Sequence, residues 1–332
     1  MKQKKILILS RADDEHVDRL VTELEMLGHT WVRFDPGDFP ETAALCVSLG
    51  QGSDGRHLML PDGEQITLDE IGSVWYRRPT PLHADKTLPP MQQLFIEREA
   101  RAGLWGLLRT IDGVWVNHPD AIREAAYKAH QLSLAHRLGF NIPRTLITSN
   151  PDAFIRFYEE CRGNVIYKLM GFPSYEVEDG TIASTFTSFV KRDMLKEAQR
   201  IKATAHLFQE YQEKICDLRI IIIGETLFSI EIHPLSEETR IDFRRDYHAL
   251  NYAVHQIPYK IQQALFRITH DYRLLYAAID MLYTPEKEYV FLELNPVGQL
   301  GWLEQPTGLP LFRTLALLLT GQTEDKCQEE RM

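Results

Sequence analysis

Apolar residues along this chain gather in short runs separated by polar stretches that carry Gly, Pro or Asp. The first run, Lys5-Ile6-Leu7-Ile8-Leu9-Ser10, has no polar alternation and reads as a buried parallel strand. Residues 13–27 follow with helical periodicity, Gly28 stops them, and Trp31-Val32-Arg33-Phe34-Asp35 reads as the next strand. Strand, helix, strand at this spacing predicts a βαβ unit and an α/β domain. Residues 45–68, rich in Gly and Asp with alternating apolar positions, predict a β-meander. Ser73-Val74-Trp75-Tyr76-Arg77-Arg78-Pro79 reads as a buried strand ending in two arginines, with a helix over 91–108 behind it. Val114 to Pro119 predicts a short strand and turn, and residues 119–138 a helix closed by Gly139. Residues 139–145 lead into another strand. Asn164 to Met170 is a further strand, followed by a mobile stretch at 171–180 and a helix over 189–202. Leu207 to Tyr211 is a strand, and Asp217 to Gly224 turns back through Glu225-Thr226 into Leu227 to Ile232.

The most telling pattern lies near the C-terminus. Ala278-Ile279-Asp280-Met281-Leu282 and Tyr289-Val290-Phe291-Leu292-Glu293-Leu294-Asn295-Pro296 flank a polar, Pro-containing turn. With a loop at 285–288, Thr284 faces Tyr289 and Asp280 falls opposite Glu293. Asn295, two residues on, projects from the same face. Three oxygen ligands would then meet among apolar neighbours, as a hard cation such as Mg²⁺ requires, and Mg²⁺ usually bridges to phosphates. The plainer reading is a surface hairpin with its polar residues in water. Against it, both strands are otherwise apolar and the acids sit inside them rather than in the turn. Lys168 poses the same question: it interrupts an apolar strand, where a charge needs a partner, and a polyphosphate would be one.

Composition narrows the function classes. The 332 residues, 44% of them hydrophobic, exceed one compact core, so two or three subdomains are expected. A net charge of −10 argues against a general nucleic-acid grip. Cys46, Cys161, Cys216 and Cys327 are widely spaced with no CxxC pair, which suits a reduced cytoplasmic protein better than a zinc site or a disulfide framework. No apolar run reaches the length of a signal peptide or membrane span, and residues 324–332 read as a polar tail. Ser10-Arg11-Ala12-Asp13-Asp14 stands where a dinucleotide fold would carry glycines. No Ser-His-Asp or Cys-His arrangement offers a nucleophile.

Taken in order, these elements resemble the ATP-grasp enzymes over essentially the full length. The Trp-Tyr-Arg-Arg strand at 75–78, Leu218-Arg219-Ile220 with its turn at Ile223-Gly224-Glu225, and Glu293-Leu294-Asn295-Pro296-Val297-Gly298-Gln299 running on to Trp302 resemble, within them, the microviridin-type peptide maturases, or graspetide synthetases. The resemblance implies an α/β pre-ATP-grasp domain (1–117), a central domain with lid (118–206) and a C-terminal domain with an antiparallel sheet (207–323). It implies ATP and Mg²⁺, with the metal on Asp280, Glu293 and Asn295. Lys128 and Lys168 match the two ATP lysines. Gln209, Glu210, Tyr211 and Glu213 match the adenine hinge, where either Glu210 or Glu213 takes the ribose, Glu213 being the better match. Arg219 and Arg244 match the cations that face the triphosphate and the reacting carboxyl group. Gly171-Phe172-Pro173-Ser174-Tyr175 departs from the Gly-rich lid loop of many members, which puts lid contacts to phosphate in question. The implied activity is an ATP-dependent macrocyclase. It would turn an Asp or Glu side chain of a precursor peptide into an acyl phosphate and join it to a Thr or Ser hydroxyl or a Lys amine. The implied partners are a leader segment, placed at residues 191–202, and a second copy of the chain; neither nucleic acid nor membrane is expected. An amino-acid ligase acting on a protein tail, or a nucleotide switch without turnover, stays open beside it.

Overall fold

The computed structural model describes residues 3–50, 55–171, 174–176, 182–184 and 186–323. Much of the 171–180 stretch, and all of 324–332, lies outside the described residues. A parallel four-stranded sheet opens the chain, ordered Trp31–Phe34, Lys5–Ser10, Ile71–Arg78, Val114–Val116. The helix Glu15–Met26 crosses over between its first two strands, with Asp14 capping it through the His16 N–H at 3.0 Å. The expected meander is the small antiparallel sheet of Ala44–Ser48, Gly55–Met59 and Gln65–Thr67.

The predicted helix over 119–138 is two helices, Pro119–Ala125 and Lys128–Arg137, broken where Tyr127 takes an extended conformation. The helix predicted over 189–202 is instead a short strand, Ser188–Phe189, and a 3₁₀ segment, Arg192–Ala203. Only Ala198 and Ile201 of that segment are buried, so tertiary packing holds too little of it to impose a regular α-helix.

Beside a two-stranded ladder of Ser174–Glu176 and Ile182–Ser184, two larger sheets build the rest. One is ordered Ser188–Phe189, Val165–Lys168, His206–Glu210, Thr145–Thr148. The other is antiparallel, ordered Leu250–Val254, Thr226–Pro234, Cys216–Ile223, Tyr276–Tyr283, Tyr289–Asn295. Its central strand, Cys216–Ile223, is buried at every position, which accounts for its unbroken apolar run. Leu218, Ile220 and Ile222 face a core shared with Leu132, Leu265 and Ile268. On the other face, Ile221 and Ile223 join Ile6, Ile8, Trp75 and the helix Leu311–Thr320. Asp217 and Arg219 share that second face by alternation but lie beyond the apolar contact. The N-terminal layer thus covers one end of the sheet and leaves the other end to polar side chains. No helix among the described residues is long and apolar enough to cross a membrane.

Candidate active site

The two sheets face each other across a cleft. Ile166, Lys168, Gln209 and Glu210 line one wall, and Asp217, Asp280, Leu282, Leu292 and Glu293 the other. Alternation explains Lys168: Val165 and Tyr167 pack beneath the sheet with Phe154 and Phe208, so Ile166 and Lys168 point into the cleft. Tyr211, Gln212 and Lys214 close one side, and the turn Ile241 to Arg244 closes another.

Charges in the cleft are paired across short distances. Arg219 Nη1 lies 2.7 Å from Asp280 Oδ1, and both are buried or nearly so. Arg244 grips Asp242 through Nε at 2.8 Å and Nη2 at 2.5 Å, and Asp242 also accepts the Thr187 N–H at 2.9 Å. Lys214 holds both oxygens of Asp217 at 2.6 and 2.7 Å. Lys128 is bonded to Glu293. The Lys168 ammonium makes no hydrogen bond or ion pair with a described side chain; burial pushes it below the usual lysine range, against the pull of Glu293. Burial alone would raise the Glu293 carboxyl, but Lys128 and Lys168 outweigh it and hold it well below the carboxylate range. Burial opposes the Arg219 charge, and Asp280 more than restores it.

The hairpin places Asp280 directly opposite Glu293. The turn differs from the sequence expectation: Tyr283, not Thr284, faces Tyr289. The strands would then be one residue out of step at Asp280, but a bulge at Leu292 restores the pairing. Leu292 and Glu293 consequently both line the cleft, an apolar wall beside an acid. Asn295 pairs with Ala278, and its Oδ1 accepts the Val297 N–H at 3.2 Å, shaping the next loop.

That loop is pinned from three sides. Arg77, only 3% exposed, donates Nη1 to the carbonyls of Val297 and Gly298 at 2.9 and 3.3 Å, and its Nε sits 3.2 Å from Asp14 Oδ2. Tyr276 Oη donates to Gly298 O at 2.7 Å, and Arg219 Nη2 to Gln299 O at 3.2 Å. A Cβ on Gly298 would stand 2.4 Å from Ala278 Cβ, so the loop can approach the sheet only as glycine. Two buried amides went unnoticed in the sequence. Asn117 accepts from the backbone of Leu275 and Tyr276 and donates to the carbonyls of Tyr276 and Pro296. Gln131 brackets Leu294, accepting its N–H at 2.9 Å and donating to its carbonyl at 2.8 Å. Neither has a local signal, because the partners lie 158 to 179 residues away in sequence for Asn117 and 163 for the Gln131–Leu294 pair.

Of the residues expected at the site, Lys168, Gln209, Glu210, Tyr211, Arg244, Asp280 and Glu293 line the cleft. Lys128 and Arg219 reach it through Glu293 and Asp280. Glu213 is exposed and stands off the lining, whereas Glu210 is on it. Asn295 is engaged in its own turn. Lys214, Asp217 and Asp242 line the cleft without having been singled out in the sequence. Gln209 is 1% exposed; its Nε2 bonds Thr145 Oγ1 at 3.1 Å while its Oε1 is buried without a partner. A buried acceptor left open on the wall of a cleft fits a ligand that brings a donor.

Known proteins share this fold. Residues 5–123 match the MvdD pre-ATP grasp domain. The macrocyclase MdnC of Microcystis aeruginosa MRC, solved with its precursor peptide MdnA, superposes with a TM-score of 0.84 at 26% identity over 96% of this chain and 99% of that one. A RiPP-associated ATP-grasp ligase of Chryseobacterium gregarium, solved with ADP and a leader and core peptide, gives 0.86 at 28% identity over 96% and 97%. The macrocyclase MdnB, also of Microcystis aeruginosa MRC, gives 0.79 at 28% over 95% and 99%. No curated protein matches the chain.

Proposed function

We propose that this chain, an ATP-grasp ligase of the microviridin-type peptide maturases, closes rings in a ribosomally made precursor peptide. It activates an Asp or Glu side chain with ATP and joins it to a Thr or Ser hydroxyl or a Lys amine of the same peptide. The observation that carries this reading is the cleft itself. One wall offers an unpaired cation, Lys168, and an open acceptor on Gln209; the other offers the paired acids Asp280 and Glu293. Likeness over 95% or more of the chain to peptide macrocyclases supports it.

The chemistry balances without a nucleophile from the protein. Transfer of the terminal phosphoryl group of ATP to a carboxylate gives ADP and an acyl phosphate. The acceptor oxygen or nitrogen then attacks the acyl carbon, phosphate leaves, and the acceptor's proton passes to solvent. Each ring therefore costs the peptide one water. Asp280 and Glu293, opposite each other on the cleft wall, would hold Mg²⁺, and the pair fits because both turn carboxylate oxygens to the cleft; Asn295, whose Oδ1 already accepts the Val297 N–H, would join them through its remaining lone pair. Bound there, Mg²⁺ would neutralise phosphate charge during transfer. Lys128 and Lys168 would lie along the phosphates. Gln209, Glu210 and Tyr211 would meet the nucleoside, with Glu210 or Glu213 on the ribose. Ile166, Leu282 and Leu292 supply apolar walls for a base. Arg219 and Arg244, each held by a carboxylate, would face the reacting carboxyl group as fixed forks. We assign residues 1–117, 118–206 and 207–323 to the pre-ATP-grasp, central and C-terminal domains, the leader to the exposed face of Arg192–Ala203, and the working form to a cytoplasmic homodimer.

The test is incubation of the full chain with Mg-ATP and the peptide encoded by a short neighbouring reading frame rich in Thr and Asp or Glu. Mass spectrometry should find one water lost per ring, with stoichiometric ADP release. A gain of an amino-acid residue would make the chain an amino-acid ligase instead, and absence of ADP release would leave it a nucleotide-binding switch.

A further inference from the structure

We infer that the face of the C-terminal sheet turned away from the cleft carries a second metal site, for a zinc-class transition ion, built from Cys216, Glu231 and His233. Their ligand atoms, Cys216 Sγ, a Glu231 oxygen and a His233 ring nitrogen, all lie within 4.8 Å of one another. They come from two neighbouring antiparallel strands. Glu231 faces Leu218, and Cys216 and His233 stand at the end of the same ladder, one step beyond the Asp217–Ile232 pair. By alternation Cys216, Glu231 and His233 share the face opposite Asp217 and Arg219. The site is thus separated from the nucleotide cleft by the thickness of the sheet.

The donor set selects the ion. Thiolate and imidazole favour zinc-class metals, whereas Mg²⁺ takes oxygen and keeps its waters. One thiolate, one carboxylate and a neutral imidazole cancel a dication, with the Cys216 proton released to solvent on loading. Three protein ligands leave a fourth position open to water.

The surroundings resemble those of a supported metal site. His255 Nδ1 lies 2.6 Å from Glu231 Oε1, and His255 Nε2 lies 2.8 Å from Tyr289 Oη. This second histidine fixes the carboxylate from behind and is itself fixed by a tyrosine, the outer-sphere arrangement that orients metal-bound groups. Access is open on one side: the Cys216 thiol is buried, while the His233 and Glu231 side chains are 36% and 23% exposed. His233 Nε2 lies 2.7 Å from Glu231 Oε2, so loading would exchange this hydrogen bond for bonds from both side chains, and from Cys216, to the metal. The ligands escape a motif search because 14 residues and a strand turn separate Cys216 from the Glu231-x-His233 pair.

The experiment is a Co²⁺ titration of the untagged full chain, followed by ultraviolet–visible spectroscopy. We expect one Co²⁺ per chain with a thiolate-to-cobalt charge-transfer band, displaced by Zn²⁺ and untouched by excess Mg²⁺. The band should vanish in Cys216→Ser. His233→Ala, at a half-exposed position that spares the core, should weaken binding at least as much as loss of the outer His255, on the order of 10–100-fold. Glu293→Gln should leave the band unchanged. A wild type without the band, a band that survives Cys216→Ser, unchanged affinity in His233→Ala, or a band lost in Glu293→Gln would each overturn the inference.

Discussion

Asp280 faces Glu293 because a single residue, Leu292, is bulged out of the ladder between Phe291 and Glu293. Phe291 stays on the core face against Phe140, while Leu292 and Glu293 both turn to the cleft. The bulge thereby sets an apolar surface and a carboxylate side by side, which a regular strand with period two cannot do.

Glu293 is the residue on which the cleft's charge balance turns. Glu293→Gln keeps the shape and removes the anion shared by Lys128 and Lys168. The protein should stay folded, with stability lowered by about 2 kcal/mol for the lost charge-assisted bond. Nucleotide affinity should no longer respond to Mg²⁺, and no cyclised peptide should form. Calorimetric titration of ADP with and without Mg²⁺ reads the first, and peptide mass the second. Unchanged turnover would remove Glu293 from the metal site.

Arg219 does two things at once, pairing with Asp280 and holding the carbonyl of Gln299. Arg219→Ala leaves Asp280 without its partner in a buried setting, a loss of about 3–5 kcal/mol in chemical denaturation. Arg219→Lys keeps the charge and gives up the second contact, so most of that stability should return. If the guanidinium fork serves the reacting carboxyl group, ring formation should not return with it. Parallel melting curves and single-turnover assays separate the two roles; a lysine variant with wild-type turnover would reduce Arg219 to a structural ion pair.

What the sequence made legible was whatever local pattern encodes. The apolar runs mark the strands, and the hairpin register puts Asp280 against Glu293 although the loop is one residue longer than the sequence pattern predicts. The two errors there compensated, because an inserted residue at Leu292 has no signature in an apolar strand. Lys168 stood out because a charge broke an apolar run. The helices Pro151–Glu160, Tyr259–Asp271 and Leu311–Thr320 are absent from that reading although local signals mark them, an Asn150 cap before Pro151 in the first and Gly321 closing the last. Asp217 and Asp242 drew no notice because an acid at a strand or turn looks solvated until the opposing sheet covers it. Asn117, Gln131 and Arg77 act on backbone more than 150 residues away, information that only the fold contains.

Asp14 shows how the N-terminal layer is tied to the site loop. Burial disfavours its charge, but His16 and Arg77 overcome this and hold the carboxyl well below the usual range. A depressed acid contributes stability that is present above its unfolded pKa of about 3.9 and is lost as pH falls through the folded value. Asp14→Asn keeps a good helix cap and removes only the charge. The variant should be less stable at neutral pH by roughly 3 kcal/mol, the cost of a broken buried pair. The gap should close progressively in acid as the wild-type carboxyl is protonated. Urea midpoints across that range test it; a constant gap would mean that the charge is irrelevant.

Lys168 should report ligand binding through its proton. In the free protein burial depresses its ammonium, so between the folded value and the unfolded value of about 10.4 the unfolded chain binds more protons. Stability gained from this group therefore rises with pH through that window and is absent below it, where both states are charged. A polyphosphate beside Lys168 reverses the pull, because a nearby anion favours the charged form. Nucleotide binding at a pH inside that window should then take up a fraction of a proton per chain. Calorimetry in two buffers of different ionisation enthalpy measures that uptake directly. Lys168→Met should abolish it and weaken nucleotide binding, while the neutral side chain spares the fold a buried charge and raises stability at neutral pH. Proton uptake that persists in Lys168→Met would place the responding group elsewhere in the cleft and remove Lys168 from the phosphate path.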